Sequence, residues 1–100
     1  MSHPYKTYRT MDNSMMVMAT NANTAAGYFG MKVLHFRAPD LSLCSDIYIV
    51  LHNGSETKKV KRVFEAAIGW REKGVEKMFE FRFSHDPIGD VKLYPGHPRV

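Results

Sequence analysis

The sequence predicts a small α+β domain, a mostly antiparallel sheet of order β-β-β-α-β with one helix packed on one face. Three observations predict it. One hundred residues hold one hydrophobic core and no second. Two segments, Ser42–His52 and Glu76–Ser84, alternate apolar with polar residues at the period of a half-buried strand. Between them, Val60, Val63, Phe64, Ala67 and Ile68 recur at the spacing of one helical face.

Taken in chain order, Ser14–Thr20 (SMMVMAT) reads as a first, weak strand. NANTAAGYFG follows as a loop or a single poor helical turn. Within it, Gly27-Tyr28-Phe29-Gly30 has the G-x-x-G form that KH domains use on a nucleic-acid backbone. Its central pair is bulky and uncharged, so a glycine-flanked turn with aromatic anchors is the better account. Met31–Ala38 is a short strand, with Leu34 and Phe36 opposite Val33, His35 and Arg37. Pro39-Asp40 turns the chain into Ser42–His52. Asn53-Gly54 is a turn, and Ser55 caps a helix spanning Ser55–Lys73. That helix ends at Gly69 or at Gly74; Gly74 is preferred, since it places Arg71 and Lys73 in the last turn and lets Val75 close on Trp70. Glu76–Ser84 is the next strand, and a short one near Val91–Tyr94 precedes the Pro/Gly-rich end PGHPRV. Residues 1–100 form a single domain, with 85–100 as a Pro/Gly-rich C-terminal segment.

The strand–turn–helix rhythm of IYIVLHNGSETKKVKRVFEAAIG (residues 47–69) resembles the first half of an RNA-recognition motif. Lys77–Ser84 (KMFEFRFS) lacks that family's aromatic and glycine-rich signature, and two strands precede the unit. The likeness is one of β-α-β geometry, and no residue is carried across.

Composition narrows the function classes. The chain is 44% apolar and 24% charged, ordinary for a folded protein. A net charge of +4 favours anionic partners mildly. Cys44 is the sole cysteine, so no internal disulfide forms, and a secreted domain this small would ordinarily need one. MSHPYKTYRT has no apolar signal region, and Met15–Ala19 is too short to span a bilayer. A cytoplasmic protein without membrane association is expected (host cytoplasm, were the chain viral).

No cofactor, metal or catalytic signature stands out. His3, His35, His52, His85 and His97 are dispersed, and none forms a zinc-type i, i+4 pair. Cys44 has no activating neighbour, and His85-Asp86-Pro87 is a turn. The expectation is a protein that is not an enzyme, with a small hydrolase or transferase using His35, His52 and Cys44 as the weakest alternative.

Two surfaces remain once a core is assembled. Phe79, Phe81 and Phe83 share a strand face and belong in that core. The opposite face then carries Val33, His35 and Arg37, with Tyr48, Val50 and His52, and with Met78, Glu80 and Arg82. Such a mix suits base stacking with phosphate pairing, or an apolar-centred protein interface. Lys58, Lys59, Lys61 and Arg62 place cations at a helix start, where stability favours acids, and so mark an anion site. The candidate binding residues are therefore Lys58, Lys59, Lys61, Arg62, Arg37, Tyr48, His52 and Arg82. The leading reading is a basic, non-enzymatic module engaging nucleic acid or an acidic or nucleoprotein partner. The alternative is a protein-binding accessory or inhibitor, of the kind viruses and phages use to block a host complex. A homodimer through the uncovered sheet face fits either.

Overall fold

The computed structural model describes residues 5–52 and 62–85. One helix packs on a curled, five-stranded antiparallel sheet, the α+β architecture expected. The elements run β1 (Lys6–Thr10), β2 (Met16–Ala19), α1 (Ala22–Arg37), a 3-10 turn (Leu41–Leu43), β3 (Cys44–Leu51), β4 (Arg62–Glu72) and β5 (Val75–His85). Their order in the sheet is β2-β1-β5-β4-β3.

The helix is not where helical spacing placed it. Residues 62–72 are β4, and the helix occupies 22–37, taking in both the expected loop and the expected strand Met31–Ala38. The order is thus β-β-α-β-β-β, not β-β-β-α-β. Phe64, Ala66, Ile68 and Trp70 are all buried on one side of β4, a period of two. Ala66, Ala67 and the pair Phe64/Ile68 fit either period, and pairing with β5 decides between them. Gly74 ends no helix. Lys73 and Gly74, at φ of 52° and 79°, form a two-residue hairpin turn with Glu72 opposite Val75. Positive φ at both central positions matches the right-handed twist of the strands it joins. The expected helix start at 55–61, the strand near Val91–Tyr94 and the rest of 86–100 lie outside the described residues.

α1 begins at Asn21, whose side chain accepts from the Thr24 N–H at 2.8 Å. It ends where Ala38 N–H bonds to the Leu34 carbonyl, just before Pro39. Ala22, Ala25, Ala26, Phe29, Gly30 and Leu34 are its buried stripe. The glycines of GYFG are therefore mid-helix rather than in a turn. Gly30 has a packing reason: a Cβ there would stand 2.9 Å from Ile49 Cδ1 on β3. Gly27 has none, for nothing lies within 4 Å of its missing Cβ.

The division of sheet faces holds although the helix moved. Phe79, Phe81 and Phe83 lie on the helix side, and Phe83 is fully buried among Tyr8, Phe29 and Phe64, with ring centroids 5.2 to 5.9 Å away. Burial pushes the Tyr8 hydroxyl pKa far up. Leu34, Ala38, Ile68 and Trp70 form a second cluster towards the β4–β5 turn.

Candidate functional site

The residues proposed from sequence fall in three places. Tyr48 on β3 and His52 just beyond its end, with Arg82 on β5, share the sheet face opposite the helix. Cross-strand pairing sets Tyr48 level with Gly69 and Met78, and the His52 N–H bonds to the Glu65 carbonyl at 2.8 Å, level with Arg82. The Tyr48 ring lies across Gly69, where any Cβ would collide with it. Arg37 is elsewhere. It ends α1, and its guanidinium stacks over the Phe79 ring at 4.0 Å on the helix side. Lys58, Lys59 and Lys61 lie outside the described residues, as does the side chain of Arg62, whose backbone opens β4.

The face holding Tyr48, His52 and Arg82 is mixed in charge. Glu65 and Glu80 stand beside Arg82, and Asp46, Arg71 and Glu76 border Tyr48. Its centre is apolar: Tyr48 is 51% exposed, Met78 59%, and Val50 and Val63 are exposed with them. Asp46, at a φ of 53°, forms a bulge that sets three steps of β3 against two of β4, between Ser45 and Tyr48.

A second site was missed from sequence, and it is the wider and more open of the two. Among the described residues β1 pairs with β5 at Tyr8–His85, Arg9–Ser84 and Thr10–Phe83; beyond Thr10 the chain turns away into Met11–Ser14. The sheet splits there, leaving a groove of about 550 Å³ between the β1–β2 turn, α1 and β5. Met11 and Met15 form one bank, Val33 of α1 the other, and Phe79 and Phe81 the half-buried floor. Phe36 sits one turn beyond Val33 on the same side of α1 and is 86% exposed; Met11 is 52% exposed. Exposed apolar groups thus lie near an apolar floor.

Charge is placed at the groove's turn. The Asp12 carboxylate accepts from Ser14 Oγ at 2.7 Å, Thr10 Oγ1 at 2.8 Å and Ser14 N at 3.0 Å. Hydrogen bonds from Ser14 first, then Thr10, hold its pKa down to about 2. Glu80 and Arg82 of β5 also line the groove.

The residues considered for catalysis do not converge. His35 is exposed on α1, His52 lies on the other face of the sheet, and Cys44 starts β3 on the helix side. Burial, then the Glu72 and Asp40 carboxylates, raise the Cys44 thiol pKa, the reverse of nucleophile activation. Trp70 and then Lys77 hydrogen-bond Glu72 and lower its pKa. Among the described residues no three His, Cys, Asp or Glu side chains gather as metal ligands. No described helix is long and apolar enough to cross a membrane.

Comparison with protein-family models, with curated proteins and with solved structures finds no match to this chain.

Proposed function

We propose that this chain is a non-enzymatic protein-binding module, an accessory or inhibitory domain that takes apolar side chains of a partner into the groove between the β1–β2 turn, α1 and β5. The observation that carries this reading is the split sheet: where β1 leaves β5, Phe79 and Phe81 form an accessible floor with exposed Met11 and Phe36 nearby. Methionine suits such a bank, because its flexible, polarisable side chain adapts to varied partners. Desolvated aromatic anchors in a pocket supply most of the energy of a protein contact.

The nucleic-acid reading draws on different residues. Its cations are chiefly Lys58, Lys59, Lys61 and Arg62, while the described face carrying Tyr48, His52 and Arg82 also carries Glu65 and Glu80. Carboxylates interleaved with arginines repel a phosphate backbone as much as they attract it, so protein is the partner class favoured here.

Selection from a displayed random-peptide library tests the reading. Wild type should enrich apolar peptides, and the doubly substituted Met11→Asp/Phe36→Asp protein, folded by circular dichroism, should bind them at least about tenfold more weakly. Failure to enrich any peptide, or equal binding by the variant, contradicts it. Steeply salt-dependent oligonucleotide binding, lost on Lys58→Glu/Lys61→Glu and kept by Met11→Asp/Phe36→Asp, would put nucleic acid in its place.

A further inference from the structure

Among the described residues, one wall of the groove is a strand edge with no strand paired to it. The β4–β5 ladder closes at Lys73–Gly74 with Glu72 opposite Val75. Antiparallel alternation then gives the backbone groups of Lys77, Phe79 and Phe81 to β4 and turns those of Met78, Glu80 and Arg82 the other way. Ser84, next in that series, is opposite Arg9 of β1. β1 stops at Thr10, so among the described residues no strand lies against Met78, Glu80 and Arg82 on that side. An unpaired edge beside an apolar floor is a template for strand addition.

We infer that the partner enters as an extended segment added antiparallel to β5 along Met78–Arg82, continuing the line of β1. This rests on the protein-binding reading of the same groove. From Met78 to Arg82 is roughly 13 Å of strand, enough for about five residues of the partner. Residues set opposite Met78, Glu80 and Arg82 bond to them and turn their side chains to the face away from the helix. The residues between them turn inward onto Phe79, Phe81 and Val33, and so must be apolar. A cation opposite Glu80 makes a favourable cross-strand pair, whereas one opposite Arg82 would be repelled, so that position takes a neutral polar residue. The occupant is thus an extended peptide with alternate apolar residues, β-branched or aromatic, and between them polar residues with a cation opposite Glu80.

The test uses the wild-type protein and a blocked seven-residue peptide alternating Val with Thr and Lys. Two N-methylated twins accompany it, one methylated on the Thr and Lys amides, the other on the Val amides. The parent should bind and slow exchange of the Met78, Glu80 and Arg82 amides at least about tenfold, each bond contributing of the order expected for a backbone hydrogen bond. Methylation of the Thr and Lys amides should weaken binding at least about tenfold, and methylation of the Val amides should leave it nearly unchanged, since only the former face β5. Equal binding of all three peptides, or library peptides that bind without slowing those amides, overturns strand addition and leaves the groove as an apolar contact site. Loss on methylating the Val amides instead overturns the antiparallel direction. Binding by no peptide of either kind overturns both the inference and the reading on which it rests.

Discussion

Residues 79–82 and 83–85 of β5 continue a single strand, and phenylalanine recurs at the same period in both, yet they lie in opposite surroundings. At the His85 end β1 completes the sheet, and Phe83, Ser84 and His85 are buried on both faces. Thr7 and Met18, on the face away from the helix, are buried with them. Four residues earlier the strand has β4 on one side and no described strand on the other, so Phe79 and Phe81 are only half-buried and Met78, Glu80 and Arg82 are exposed. The period of two sets which way a side chain faces; the length of the neighbouring strand sets whether that face is core or binding surface.

The largest expected effect contrasts the two halves directly. Phe83→Ala removes a ring packed against four others and should cost about 3–5 kcal/mol. Phe79→Ala, at the half-buried end, should cost about 1 kcal/mol. Urea denaturation of both variants checks this, and similar losses would show that the groove floor is as much core as the closed end.

The helix offers a second contrast. Gly30→Val drives a side chain into Ile49 and should destabilise by about 1–3 kcal/mol. Gly27→Ala faces open space and should stabilise by about 0.5–1 kcal/mol through the better helix former. Thermal melts that gave both glycines the same sign would contradict the seating of α1 on β3 and β4.

The smallest effect concerns the turn that forms the groove's bank. Asp12 has a lowered pKa in the folded protein, so the stability it adds is present above its ordinary value of 3.8 and is lost as pH falls towards about 2. Wild type should therefore melt above Asp12→Asn at neutral pH, and the two should converge only as pH falls to about 2. A gap unchanged at low pH would mean that the carboxylate charge does not hold the turn.

What the sequence disclosed follows from the range of each signal. The phenylalanine face was legible because Phe79, Phe81 and Phe83 alternate without exception. The helix was not, because its buried stripe is built of Ala22, Ala25, Ala26 and Gly30, small residues that carry little hydrophobic contrast, and two glycines argue against helix. Asn21 with Thr24 was the available signal. Residues 62–72 fit both periods locally, and only the Lys73–Gly74 turn and the matching alternation of β5 favour the strand. Tyr48, His52 and Arg82 were placed on one face correctly, whereas Arg37 followed the misread strand to the wrong side. The groove left no local trace at all. It exists because β1 has five residues and β5 eleven, a difference expressed only when the two strands pair.

Partner binding in the groove requires the β5 edge to be open from Met78 to Arg82, and amide hydrogen exchange read residue by residue tests that most directly. In the free protein, Met78, Glu80 and Arg82 should exchange rapidly while Lys77, Phe79 and Phe81, bonded to β4, exchange slowly, an alternation that stops at Ser84 where β1 begins. Uniform protection along the whole of β5 would mean that its edge is already covered, and neither the groove nor the added strand would survive.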